Sequence, residues 1–169
     1  GPLIGLSNIL NTISNINITS TSNNPVGFFG SVYKGTVKNL VVEGTIDSNY
    51  YTGGITGYLN KGTIENCVNK TTITNESMNG TGGIVGYVAN NTSSIKNCIN
   101  IGNVSSSLST VGGIVGNVAN ITAGVSSLTI NKCINLGEIS GTSNVSGILG
   151  NAPTTEITIS DCMNIGKIS

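Results

Sequence analysis

The sequence predicts an all-β fold, a parallel β-solenoid (β-helix) of about five coils, with one repeat of about 30 residues per coil. Three observations carry this prediction. Two short motifs recur in alternation along most of the chain, certain positions stay apolar in every copy, and the composition opposes helix. The 169 residues include 24 glycines, 25 asparagines and 40 serines and threonines. Asparagine, serine and glycine disfavour helix interiors, while the abundant isoleucine, valine and threonine suit strands. A propeller blade needs about 40–50 residues, more than this period supplies. A hydrophobic fraction of 37% argues against disorder.

Residues 1–25 form an eroded N-terminal coil. Its Gly1-Pro2 start has the look of a scar left by removal of an expression tag. Within it, Leu10 to Thr19 reads as a repeat copy lacking one residue. Residues 26–169 hold the recognisable repeats. The first motif, Gly-Ile-x-Gly-x-Val, begins at Gly54, Gly83, Gly113 and Gly147, with a variant at Gly27, so successive steps are 27, 29, 30 and 34 residues. The second, Ile-x-Asn-Cys-x-Asn-x-Gly-x-Ile-Ser, follows each copy. It runs Ile64 to Thr74, Ile95 to Ser105, Ile130 to Ser140 and Ile159 to Ser169, with a degenerate form at Val37 to Asp47.

In register, the copies define columns. Val37, Ile64, Ile95, Ile130 and Ile159 form one, and Ile46, Ile73, Val104, Ile139 and Ile168 another. The Gly-Ile motif adds Phe28, Ile55, Ile84, Ile114 and Ile148, then Val32, Leu59, Val88, Val118 and Ala152. A position that is apolar in each copy is expected to stack inward. Asn69, Asn100, Asn135 and Asn164 share a column and are expected to form a structural ladder of side-chain amides from coil to coil. Length varies at Thr74–Gly82, Asn120–Leu128 and Gly141–Ser146, which read as outer loops. Lys38, Glu65, Lys96, Lys132 and Asp161, just before the cysteine column, read as an outer face where adjacent opposite charges weakly favour the correct stacking.

The cysteines Cys67, Cys98, Cys133 and Cys162 lie 31, 35 and 29 residues apart, with Leu40 as the first member of their column. Zinc needs ligands that converge as a tetrahedron, and a line of thiols does not. A disulfide between coils needs Cβ atoms about 3.5–4.5 Å apart, whereas parallel neighbours sit near 4.8 Å. The reading is therefore reduced, structural core cysteines, in keeping with Leu40.

Chemistry is mostly excluded. There is no histidine, and the 7 basic residues, all lysines, balance 7 acids at zero net charge. Scattered lysines do not grip nucleic acid. No apolar run reaches the roughly 18 residues of a membrane span. Glu43 and Asp47 share strand parity, yet have no arginine or histidine partner, and a solvated face is the default. Glu138 is expected beside Lys167 one coil on. No catalytic residue, metal ligand or cofactor is expected. Nine Asn-x-Ser/Thr sequons occur, Asn79, Asn120 and Asn144 among them, where this composition by chance gives about six. The candidate ligand contacts are aromatic. Tyr58 and Tyr87 share a column that Asn117 and Asn151 continue, and Tyr50-Tyr51 precedes it.

Residues 82–87, Gly-Gly-Ile-Val-Gly-Tyr, followed by 94–105, Ser-Ile-Lys-Asn-Cys-Ile-Asn-Ile-Gly-Asn-Val-Ser, resemble the GLUG repeat. The resemblance extends over residues 26–169. That repeat occurs in large bacterial and protist surface proteins, including IgA-specific metallopeptidases, whose His-Glu-x-x-His zinc motif is absent here. The resemblance implies a cell-surface or secreted, extracellular repeat region. The function expected is non-enzymatic: a rigid stalk, or an adhesin-like surface for a host or neighbouring-cell protein or glycan. The alternatives are a substrate-recognition module of a surface peptidase and a carbohydrate-active β-helix. The chain stops at Ser169 within a repeat, and an unpaired solenoid end invites aggregation, so flanking domains or further repeats of the same chain are expected.

Overall fold

The computed structural model describes residues 10–76, 80–108, 110–153 and 156–169, and every regular element among them is a β-strand. Strand β1 (Asn11–Ser20) lies below the first coil. Coil 1 contains β2 (Phe29–Tyr33), β3 (Thr36–Lys38) and β4 (Leu40–Ser48). Coil 2 contains β5 (Thr52–Gly53), β6 (Thr56–Asn60), β7 (Thr63–Glu65) and β8 (Val68–Asn75). Coil 3 is β9 (Thr81–Gly82), β10 (Val85–Val88), β11 (Ser93–Lys96), β12 (Ile99–Asn100) and β13 (Val104–Ser106). Coil 4 is β14 (Val111–Gly112), β15 (Val115–Val118), β16 (Leu128–Asn131), β17 (Ile134–Asn135) and β18 (Ile139–Ser140). Coil 5 is β19 (Val145–Ser146), β20 (Leu149–Asn151), β21 (Ile157–Ser160) and β22 (Met163–Asn164).

Strands pair in parallel with their counterparts one coil away, which makes four sheets. The first face stacks β5, β9, β14 and β19; the second β2, β6, β10, β15 and β20; the third β3, β7, β11, β16 and β21. The fourth runs β1, β4, β8, β12, β17 and β22, with β13 and β18 continuing the far half of β8. The chain is thus a parallel β-solenoid of five turns, as the repeat predicts. Register follows the sequence columns: Ile64 pairs with Ile95, Ile95 with Ile130, and Ile130 with Ile159.

The apolar columns meet inside. Ile55, Ile84 and Ile114, with Leu59, Val88, Ile64, Ile95 and Ile130, form the main core together with Cys67, Cys98 and Cys133. A second cluster joins Ile46, Ile73, Val104 and Ile139 to Val26 and Val111. Each fully buried isoleucine stabilises the fold by roughly 1.5–3 kcal/mol. The columns weaken at coil 5, above which no described strand lies. Ile95 is 0% exposed, whereas Ile159, in the same column, is 45% exposed.

The third and fourth faces meet at a corner with one repeated conformation. Asn39, Asn66, Asn97, Lys132 and Asp161 all have φ between 52° and 59°. Asparagine and aspartate tolerate this left-handed region, which suits them to the corner. This corrects the expected charge column. Pairing aligns Lys38 with Glu65 and Glu65 with Lys96, and then continues to Asn131 and Ser160. Lys132 and Asp161 stand one place on, in the corner. The Lys96 ammonium still reaches the Glu65 carboxylate at 3.6 Å, and Lys167 reaches Glu138 at 3.4 Å. Such exposed pairs contribute about 0–1 kcal/mol.

Two further expectations change. The copy in β1 has one residue too many, not one too few. Ile13 pairs with Val42 but Ile16 with Gly44, so Ser14 and Asn15 face one position of β4, and Asn15 takes φ 60°. A bulge absorbs the extra residue. Residues 1–9 of the N-terminal segment lie outside the described residues. The Asn120–Leu128 loop is also not wholly external. Ile121 is buried in the main core, and buried Ser126 donates its hydroxyl to Asn90 Oδ1 at 2.8 Å. A single aliphatic residue in one insertion has no column to announce it.

Candidate functional site

The tyrosine cluster is assembled from two coils. Strands β6 and β10 alternate between core and surface, which sets Tyr58 and Tyr87 side by side, half-buried, on the outer side of the second face. Their rings are 5.8 Å apart and nearly parallel, at 11°. The turn between β4 and β5 then folds Tyr51 onto both. Its ring stacks on Tyr87 at 4.3 Å and 24°, lies 6.2 Å from Tyr58, and meets Tyr50 at 4.4 Å. That turn is held from behind. The Val26 amide donates to Tyr51 O at 2.8 Å, and the Asn75 side-chain amide donates to Tyr50 O at 2.6 Å. Asn75 is buried and also donates to Thr52 Oγ1 and Thr81 Oγ1, at 3.1 and 2.8 Å. Sequence reasoning missed its role because it stands in no asparagine column.

Above the rings the column turns polar. Asn117 pairs with Tyr87, and Asn151 Nδ2 donates to Asn117 Oδ1 at 2.9 Å. The patch therefore joins three stacked phenols, with Tyr50 tilted against Tyr51, to a pair of surface amides. Burial pushes the Tyr51 phenol up to about 12, and the neighbouring Tyr87 and Tyr50 add to the rise. Tyr87 is raised too, chiefly by burial and then by Tyr58 and Tyr50. The fold holds both phenols neutral. The stability tied to their neutral forms is complete below the free phenol's pKa near 10 and is lost as pH rises above it, for Tyr51 through about 12. In an alkaline titration at 295 nm, two of the 5 tyrosines should ionise later than the rest. Denaturant should bring all of them together. Simultaneous ionisation in the folded chain would contradict the stacked arrangement.

The asparagine column is a hydrogen-bonded ladder. Asn69 Nδ2 donates to Asn100 Oδ1, Asn100 to Asn135 and Asn135 to Asn164, at 2.8, 2.8 and 2.7 Å. The second amide hydrogen of Asn100, Asn135 and Asn164 goes to the carbonyl two residues on, at Gly102, Gly137 and Gly166, each at 2.9 Å. In coil 1 the column is occupied by Val42, and there the lower end of the ladder is closed internally: the Thr71 hydroxyl and backbone N–H both donate to Asn69 Oδ1. Asn69, Asn100 and Asn135 are fully buried, which puts the Asn69 sequon out of reach of a modifying enzyme. Asn79 lies outside the described residues.

The two sequence motifs touch at this ladder. The first glycine of the Gly-Ile motif lies against the ladder amide of its own coil: Gly54 against Asn69, Gly83 against Asn100, Gly113 against Asn135 and Gly147 against Asn164. A methyl group at any of these glycines would land inside the amide. That contact across the coil explains why the motifs occur together.

The four cysteines are free thiols, three of them buried and Cys162 half-buried. Burial raises the Cys98 thiol well above its usual value, and the sulfurs on either side add to the rise. Glu43 and Asp47 are both exposed on β4. Glu43 pairs in register with Lys70, and Asp47 Oδ1 accepts from the Thr74 hydroxyl at 2.9 Å. Asp47 also lines an open groove of about 440 Å³ with Glu76 and Ser105 to Ser107. No group of three or more histidine, cysteine or acidic side chains is placed to share a metal ion among the described residues.

No family model matches the sequence, and no curated protein matches it. A solved structure does share the fold. A candidate immunoglobulin A1 protease from Bacteroides ovatus superposes with a TM-score of 0.70 at 20% identity, over 94% of this chain and 59% of that one. At that identity the likeness shows the fold alone. The chain spans about three-fifths of that protein's length.

Proposed function

We propose that this chain is a non-enzymatic β-solenoid segment of an extracellular or cell-surface protein, a stiff spacer that presents the tyrosine cluster to a partner. The observation that carries this reading is the cluster itself: four rings from two coils, gathered on one outer face and buttressed by buried Asn75. Tyrosine offers large contact area at low entropic cost and is enriched where proteins meet. The ring faces are largely spent on one another, leaving edges and hydroxyls beside the Asn117 and Asn151 amides. That favours a host or neighbouring-cell protein over a flat sugar stacked on a bare ring. The ladders supply the stiffness, because each coil is bonded to the next on four faces.

The test is a binding screen of the folded chain against host-matrix proteins and glycans, repeated with Tyr87→Ala. Loss of a central interface tyrosine should weaken binding at least about 30-fold, equivalent to a hot spot of about 2 kcal/mol. Binding unchanged by Tyr87→Ala moves the contact to the loops and overturns the assignment.

A second reading has its own support. The shared fold with a candidate immunoglobulin A1 protease favours a recognition module beside a peptidase domain. Stimulation of a flanking peptidase in the full-length protein, abolished by deleting the solenoid, would decide for it.

A further inference from the structure

We propose that the cysteine column binds soft, two-coordinate metal ions, each bridging the thiols of two neighbouring coils. Each sulfur makes the same two contacts. Cys67, Cys98, Cys133 and Cys162 Sγ lie 3.2, 3.3, 3.4 and 3.2 Å from the carbonyl oxygens of Glu65, Lys96, Asn131 and Ser160. They lie 3.7, 3.7, 3.7 and 3.6 Å from Val37 O, Ile64 O, Ile95 O and Ile130 O of the preceding coil. Repetition of both contacts means that one rotamer is repeated, so the sulfurs recur at the spacing of paired strands, about 4.8 Å.

That spacing is wrong for a disulfide, whose sulfurs are about 2.05 Å apart. It suits a linear sulfur–metal–sulfur bridge. A zinc–thiolate bond is about 2.3 Å, and two bonds of that length in line span roughly 4.6 Å. Zinc itself wants a tetrahedron, whereas a column offers two sulfurs per gap and apolar walls. Thiolates select soft ions of the copper(I) class, and silver(I) and mercury(II) share the linear habit.

Charge balance suits the burial. A divalent ion replaces the protons of two thiols and leaves a neutral bis-thiolate, releasing two protons to solvent. A monovalent ion replaces one proton and takes the neighbouring thiol as a neutral donor. Neither leaves net charge in the core, where it would be costly. Access begins at coil 5, where Cys162 is half-buried and its sulfur already accepts the Cys133 backbone N–H at 3.4 Å. The pair Cys133–Cys162 should therefore load before Cys67–Cys98. At the other end, Leu40 closes the column.

The experiment titrates the reduced, folded chain with mercury(II) and, separately, silver(I), with zinc(II) as control. It follows sulfur-to-metal ultraviolet absorption, free thiols, released protons and circular dichroism. Mercury should saturate at two ions per chain, consuming two thiols and releasing two protons per ion, with the fold intact and its melting temperature raised. Cys162→Val should leave a single, slowly filled site, while Cys67→Val should leave the fast site unchanged. One mercury per thiol, uptake only as the chain unfolds, or equal uptake of zinc would each overturn the proposal. Should a variant fail to fold, the wild-type thiol and proton stoichiometry decides alone.

Discussion

Replacing Asn100 with valine should destabilise the solenoid by about 3–5 kcal/mol, more than any loss of a surface group. The shape is accepted, since Val42 occupies this column in coil 1. What fails is hydrogen bonding. The change strips the acceptor from Asn69 Nδ2 and the donors from Asn135 Oδ1 and Gly102 O. All three lie in the buried ladder, and a buried polar group left unpaired costs about 1–3 kcal/mol. Asn69 Nδ2 keeps a longer bond to Thr71 O at 3.3 Å, which lowers the sum. The same change at Asn164 should cost less, about 1–3 kcal/mol, because the exposed Asn164 amide is replaceable by water and only the buried Asn135 Nδ2 loses a partner. Chemical denaturation of the two variants side by side measures the difference. Equal losses would mean that the ladder contributes as turn hydrogen bonds and not as a buried network.

Replacing Gly83 with alanine should cost about 3 kcal/mol, the upper end for overpacking a rigid interior. The added methyl would overlap the Gly113 carbonyl of the next coil and the Asn100 side-chain amide. Backbone crowds the methyl from above and the ladder from across the coil, so no flexible side chain can yield. The control is Gly35→Ala, where the nearest atoms are an ordinary 3.7 and 3.8 Å away. That variant should stay within about 0.5 kcal/mol of the parent or gain slightly from a stiffer unfolded chain. Should Gly83→Ala melt with Gly35→Ala, the close packing of glycine on asparagine would be disproved. Gly83 packs directly on the Asn100 amide within its own coil, so Gly83→Ala combined with Asn100→Val is expected to be non-additive.

The columns were legible because a solenoid turns sequence period into spatial period. Residues one repeat apart become neighbours one coil apart, so Ile64, Ile95 and Ile130, the cysteines and the ladder asparagines could be aligned without knowing any angle of the chain. The Tyr58–Tyr87 pair and the Glu138–Lys167 pair were readable for the same reason. The charge column was misread by one place because Lys132 adopts the left-handed corner that Asn39, Asn66 and Asn97 occupy in other coils. Lysine carries no local signal for that conformation, and the stacked corners above and below impose it. The extra residue in β1 was hidden similarly, since a bulge leaves the pairing on either side in register.

The sequence by itself determined the architecture: a parallel all-β solenoid, its period, its inward columns and the asparagines that would bond from coil to coil. These follow from stacking, which is a translation and leaves a regular trace in the chain. Tertiary structure alone decided what meets within a coil and between unlike positions. It set Gly83 against Asn100, folded Tyr50 and Tyr51 over Tyr87, buried Ile121 and put Asn75 beneath the tyrosine turn. Those contacts depend on how sharply each corner bends and how far each loop reaches. No repeat encodes that, because a corner joins positions that the period never brings into the same column.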